Sequence, residues 1–234
     1  MRIHYLQQVP FEDLGNIQAW AEERSHETSG AMLFRDESLP VLEDFDWLLI
    51  MGGPMNIYEH DKYPWLGREK EFIRRAIDAG RIVLGICLGA QLVADVLGGK
   101  VHRNEEREIG WFPVKLTALA GGSRIFSALP ESFVAFHWHG DTFDIPPGGM
   151  RMAESQACRN QAFELGKAVG LQFHLESSMD SIDHLITNCA DELTEGRYVQ
   201  RPEELLSGAL RFPELRRPME VFLDNMEMAL QSEG

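Results

Sequence analysis

Three things are scarce in this chain. It has 3 cysteines in 234 residues. Cys87, Cys158 and Cys189 show no CxxC spacing, and an odd, scattered set suits a reducing compartment better than a disulfide framework, which leaves at least one thiol for chemistry. Positive charge is short as well: 22 Lys+Arg stand against 37 Asp+Glu, a formal charge of -15. That field repels phosphate backbones and anionic lipid headgroups, so neither nucleic acid nor a membrane is expected as a partner. No apolar run approaches the roughly 20 residues of a membrane helix. Met1-Arg2-Ile3-His4 leads into a strand-like segment instead of a signal peptide's apolar core, so the expected location is the cytoplasm. Internal repeats, low-complexity tracts and obvious linkers are missing too. What is there, 44% apolar and 25% charged residues, suffices for a sizeable core, and a single domain over 1–234 is expected, with 196–234 as a C-terminal helical extension.

Short β-branched runs alternate with segments of helical period, the pattern of an α/β fold with a mainly parallel central sheet flanked by helices. Residues 1–6 and 30–34 read as strands, and a helix after Pro10 carries Leu14, Ile17 and Ala21 on one face before the polar stretch at Ser25. The nearly continuous apolar run 46–51 fits a central strand covered on both faces. Residues 66–79 place Leu66, Phe72, Ile73, Ala76 and Ile77 on one stripe, with Gly80 as a left-handed cap. A second buried strand, 81–86, runs into Cys87, and helical period resumes over 91–97. From 100 to 173 strand-like pieces recur at 100–103, 111–118, 132–138, 151–157 and 162–173, which reads as an antiparallel addition. Ile182, Leu185, Ile186, Cys189 and Leu193 give another amphipathic helix, and Met219, Phe222, Leu223, Met226 and Leu230 a last one. This last stripe packs on its own core or docks a partner.

The most informative stretch is Gly85-Ile86-Cys87-Leu88-Gly89-Ala90-Gln91. A nucleophile at a tight strand-to-helix turn is held in a strained conformation, and glycines two positions to either side relieve the crowding. The turn sets Cys87 at a helix N-terminus, which favours a thiolate and is expected to pull the thiol from about 8.5 toward roughly 3.5–7.5. A buried cysteine in a glycine-rich turn would read the same way. A thiolate nucleophile needs a base. In Leu171-Gln172-Phe173-His174-Leu175-Glu176, His174 and Glu176 are two apart at the end of a strand-like run, so they share a face and Glu176 can reach the ring. A surface pair at a strand end is the alternative. Met51-Gly52-Gly53-Pro54 ends a buried strand in a glycine turn, and ligands of open α/β sheets collect at such carboxyl ends. Phe136-His137-Trp138-His139-Gly140-Asp141 is polar and aromatic enough to line a pocket. Its histidines and aspartate are metal-ligating types, but no H-E-x-x-H or paired-cysteine spacing accompanies them, and no metal is expected.

In the order MGGPMNIYE, GICLGAQ, FHWHGD and GLQFHLE, these motifs make the chain, from about Asp46 to Met179, resemble the triad-type class I glutamine amidotransferases, most closely members similar to the glutaminase domain of GMP synthase. The resemblance implies a flavodoxin-like parallel sheet flanked by helices. It makes Cys87 the nucleophile, His174 the general acid/base and Glu176 its orienting carboxylate, with oxyanion amides from Gly53 and Leu88. Gln91 and the His139-Gly140-Asp141 block would hold the α-amino and α-carboxylate groups of glutamine. No cofactor is implied. Leu175 stands where the family motif F-H-P-E has proline, which loosens one backbone constraint and leaves both catalytic side chains in place. The implied reaction releases glutamate and ammonia through a γ-glutamyl thioester. The chain has no S-G-G-x-D-S or G-x-x-x-x-G-K-[ST] nucleotide loop, so the ammonia acceptor is expected to be a separate synthetase subunit. The alternatives are a free-standing γ-glutamyl peptide hydrolase or transpeptidase, a non-catalytic relative that binds glutamine or a partner, and a redox protein using the same cysteine turn.

Overall fold

The computed structural model describes residues 1–231, without the side chains at 209, 210, 230 and 231. In chain order its elements are β1 (Arg2–Gln7), α1 (Asn16–Glu23), β2 (Glu27–Met32), β3 (Trp47–Ile50), α2 (Trp65–Asp78), β4 (Ile82–Ile86), α3 (Leu88–Val96), β5 (Val101–Leu116), β6 (Ser132–Phe143), β7 (Met150–Glu154), β8 (Ala162–Leu165), β9 (Ala168–Leu171), α4 (Met179–Asn188), β10 (Tyr198–Val199), α5 (Pro202–Ser207) and α6 (Phe212–Gln231). One sheet runs β10-β5-β7-β8-β9-β4-β3-β1-β2, with β6 paired to β5. The half β2-β1-β3-β4-β9 is parallel, and β5 through β9 are joined by antiparallel pairings. The mixed α/β architecture is the one expected from the sequence.

The central strands explain the layering. Every residue of β3 and β4 is buried, and the side chains alternate between two cores, as the two-residue repeat of a strand requires. Trp47, Leu49, Leu84 and Ile86 pack on one face with Ile17 and Trp20 of α1 and with Phe222 and Met226 of α6. Leu48, Ile50 and Val83 pack on the other with Phe72 and Ile73 of α2 and with Leu92 and Val93 of α3. Helix α2 ends at Asp78 with Ala79 as its cap, and Gly80 follows at φ 71°, the left-handed conformation that glycine adopts without penalty. Met219, Phe222, Leu223 and Met226 are all buried against the chain's own core; Leu230, placed on that stripe from the sequence, lies outside the described side chains. Among the described residues no helix is long and apolar enough to cross a membrane.

Several boundaries differ from the sequence reading. Leu14 is buried but precedes α1, and β2 starts at Glu27 and stops at Met32, where a 3-10 turn over Leu33–Arg35 takes over. Helix α3 begins directly after Cys87, three residues before its apolar period is visible. The pieces 100–103 and 111–118 are one 16-residue strand, β5, whose register shifts between Arg103 and Glu108. The run 162–173 is instead a hairpin, β8 and β9, turning at Gly166 with φ 57°. The strand expected over 151–157 closes at Glu154, and helix α4 ends at Asn188, giving way to a 3-10 turn over Ala190–Glu192.

Candidate active site

Strand β4 delivers Cys87 to the first turn of α3 at φ 51° and ψ -108°. A non-glycine residue held there stores on the order of 1–3 kcal/mol of strain. The neighbouring glycines are a steric requirement: a Cβ on Gly85 would run into the backbone of Gly89, and one on Gly89 into the carbonyl of Ile50. The Cys87 amide donates to the Leu171 carbonyl at 2.7 Å, which fixes the turn to β9. Leu88 occupies the first position of α3, where helix N–H groups have no intrahelical acceptor.

Beyond β9 the chain crosses to β6, where the His174 amide donates to the Phe136 carbonyl at 2.8 Å and the His174 carbonyl accepts from the Phe136 amide at 3.3 Å. This bridge aims the ring. His174 Nδ1 lies 2.5 Å from Glu176 Oε1, and Nε2 has no hydrogen-bond partner among the described residues. The segment is held from its other side by α1: the Asn16 amide donates to the Glu176 carbonyl at 2.8 Å and Asn16 Nδ2 to the Leu175 carbonyl at 3.0 Å. Gly15, at φ 45°, approaches so closely that a Cβ would overlap the Glu176 carbonyl.

Cys87, His174 and Glu176 are 5%, 2% and 7% exposed, so their charges are governed by one another. Burial works against a charged His174 ring, yet Glu176 and Cys87 beside it hold its pKa well above the ordinary 6.5. Burial pushes the Cys87 thiol up from 9.0, and His174 pulls it down without reversing that. The net direction is upward, opposite to the lowering expected at a helix N-terminus. Around it Gln172 Nε2 donates at 3.6 Å, while the thiol itself donates to the Trp138 carbonyl at 3.5 Å. With both groups raised, the resting pair holds its protons, and one must leave before the sulfur is free to act as a nucleophile.

A cavity of about 310 Å³ opens over the sulfur, lined by Gly53, Cys87, Leu88, Gln91 and the block His139-Gly140-Asp141. Seven of the residues singled out from the sequence thus meet in one space. His174 and Glu176 stand behind it and line a much smaller recess. A Cβ on Gly52 would lie 3.4 Å from His174 Cε1, and one on Gly53 would lie 3.0 Å from a Leu88 methyl, so the glycine turn adjoins both the ring and the cysteine turn. Gln91 Nε2 donates to the Asp141 carbonyl at 3.3 Å and to Gln172 Oε1 at 3.2 Å. The Asp141 carboxylate accepts from the Tyr58 hydroxyl at 3.1 Å.

The sequence reading did not single out Glu12, Tyr58, Arg103, Arg107 or Glu108. All but Glu108 line the main cavity. Glu108 is buried under it, where its Oε2 accepts from Gln161 Nε2 at 2.6 Å and from Ser155 Oγ and His139 Nε2 at 3.1 Å each. His139 Nδ1 sits 3.0 Å from the Asp141 carbonyl, so both ring nitrogens are engaged within the protein. Burial works against the Glu108 carboxylate, but His137 and His139, with Ser155, hold its pKa at about 2. Burial drives His137 down to about 4, so that ring is neutral at pH 7. Glu108, His137 and His139 also bring three ligand-type atoms within 4.8 Å, a grouping that could hold a metal ion; Asp141, placed beside the histidines from the sequence, is not part of it.

The family model for class-I glutamine amidotransferases matches residues 19–192. A glutamine amidotransferase-like protein of Salmonella typhimurium, YfeJ, is 30% identical over 98% of both chains. GMP synthase of Vibrio vulnificus is 37% identical over 56% of this chain, which spans 24% of that protein. Among solved structures, a glutamine amidotransferase of Thermotoga maritima superposes with a TM-score of 0.87 at 33% identity, over 97% of each chain. A glutamine amido transferase of Methylobacillus flagellatus gives 0.89 at 27% identity, over 97% of this chain and 94% of the other.

Proposed function

The chain belongs to the class-I glutamine amidotransferases, and from that premise we propose that it hydrolyses the side-chain amide of glutamine with Cys87 as nucleophile. The observation that carries this reading is the placement of Cys87 at left-handed φ on the floor of a cavity, with the His174–Glu176 pair directly behind it. One proton leaves the Cys87–His174 pair, and the thiolate attacks the amide carbon. The amides of Gly53 and Leu88 stabilise the oxyanion, each such donor contributing on the order of 100-fold in rate. His174 gives its proton to the amide nitrogen, the C–N bond breaks and ammonia leaves. Water, deprotonated by the same ring, then opens the γ-glutamyl thioester, releasing glutamate and the thiol. Glu176 holds the ring's orientation and stabilises its charge.

Gln91, Gly140 and Asp141 serve the α-amino and α-carboxylate groups. His139 acts through them, since both of its nitrogens are already engaged. We place the reaction in the cytoplasm, in keeping with three free cysteines, and the ammonia with a separate acceptor or synthetase subunit. A second reading, hydrolysis or transpeptidation of γ-glutamyl compounds, is favoured by one observation: Arg103 and Arg107 bring positive charge into the same cavity, fit for a further carboxylate on the substrate. The test measures ammonia and glutamate release from glutamine and from γ-glutamyl peptides. Wild-type chain should turn over at least one of them, with Cys87→Ala inactive; a Cys87→Ala protein at the wild-type rate would overturn the assignment. Ammonia release stimulated by a co-purifying synthetase would identify the acceptor.

A further inference from the structure

Glu12 lies on a loop before α1, in the wall shared by the main cavity and the recess behind it. Its carboxylate rests against the glycine turn: a Cβ on Gly52 would overlap Glu12 Oε2 and at the same time lie 3.4 Å from His174 Cε1. Cε1 is the ring carbon between the nitrogen bound to Glu176 and the nitrogen with no hydrogen bond among the described residues. A second carboxylate therefore stands at the open edge of the catalytic imidazole, and no side-chain hydrogen bond to a described residue occupies it. We propose that Glu12 is a positioning residue of the Cys87–His174 pair, its charge setting where the proton sits between sulfur and ring; this rests on the pairing of those two residues in the reading above.

Glu12 faces several charged or titratable groups. His174 and Glu176 come from the segment after β9, Glu192 from the turn after α4, Cys87 from the β4–α3 turn and Cys189 from the end of α4. Burial pushes Glu12 up to about 7, and Glu176 and Glu192 push the same way, against His174. The acid thus changes charge near neutrality. When ionised, it raises the Cys87 thiol further and favours a proton on the ring. When protonated, it releases both.

The test is alkylation of Cys87 by iodoacetamide, in which the thiolate forms a C–S bond and iodide departs, followed by peptide mass from pH 5.5 to 10. It needs no substrate. In Glu12→Gln the midpoint should fall by about half a pH unit to one unit, so that between about pH 7 and the midpoint Cys87 reacts about three- to tenfold faster than wild type, a gain that vanishes below about pH 7 where Glu12 is itself neutral. Glu12→Asp, which keeps the charge, should stay near the wild-type midpoint. A purely structural role would scale the rate equally at every pH, and superimposed or uniformly scaled profiles overturn the proposal. Should Glu12→Gln fail to fold, the His174 Cε1–H resonance of the wild-type chain decides: an inflection near pH 7 in addition to the ring's own supports it, and a single inflection overturns it. A chain that releases no ammonia from any γ-glutamyl substrate yet shows the shifted profile sinks the proposed reaction and leaves this inference standing.

Discussion

His174 sits between a carboxylate and a thiol, and in the proposed reaction the order in which these groups release protons governs the rate. Because Glu176 and Cys87 hold the ring's pKa well above 6.5 and burial holds the thiol above 9.0, turnover should rise from pH 7 into the alkaline range, where the pair loses its first proton. Glu176→Gln keeps an acceptor for Nδ1–H but removes the charge. Its turnover should fall on the order of 100-fold, with the pH profile displaced to lower pH. The same shift has a stability sign. A pKa raised on folding stabilises fully below about pH 6.5 and ceases to do so as pH rises through the raised value. Urea midpoints of Glu176→Gln should therefore fall most at pH 6 and converge on wild type at high pH. Glu108 and His137 act in the opposite direction. Both are depressed, to about 2 and about 4, so stability present at pH 7 is lost as pH falls, first through the His137 range and then below about pH 4. A denaturation series from pH 7 to pH 3 measures it.

Among the elements, the turn between β4 and α3 is the most constrained. Gly89→Ala would drive a methyl into the Ile50 carbonyl of β3, and β3 cannot retreat from β1 and β4 on either side of it in the sheet. The expected cost is about 1–3 kcal/mol, read as a lower urea midpoint, with loss of Cys87 reactivity. This turn was legible in the sequence because its glycines and cysteine are contiguous, and β3 and β4 because burial on both faces leaves unbroken apolar runs. The start of α3 was hidden: Leu88-Gly89-Ala90 offers one large apolar residue and a glycine, which mask helical period until Gln91. Strand β5 was split for a different reason. Residues 103–108 (RNEERE) are almost wholly charged, and the register shift in that stretch destroys any alternation. Glu12 and Glu108 left no signal at all. Nothing local separates a buried acid from a solvated one, since what buries it arrives from distant strands.

Across the whole molecule, the C-terminal helix is part of the core that carries the site. Asp224 of α6 accepts from Trp20 Nε1 at 2.8 Å and from Arg24 Nη2 at 2.6 Å, tying the helix to α1, while Phe222 packs edge-on against Phe126 with ring centroids 5.3 Å apart. Phe222→Ala should destabilise the fold by about 3–5 kcal/mol, measured by thermal or urea unfolding. Through α1 the effect extends inward, because Asn16 at its first turn grips the carbonyls of Leu175 and Glu176. That grip joins positions 159 apart in sequence. During synthesis, the amino-terminal clamp leaves the ribosome long before the segment it must seize. The nascent polypeptide therefore carries its cysteine without a seated imidazole until the segment with His174 has emerged as well, and the fold itself would keep the proposed chemistry dormant for that interval.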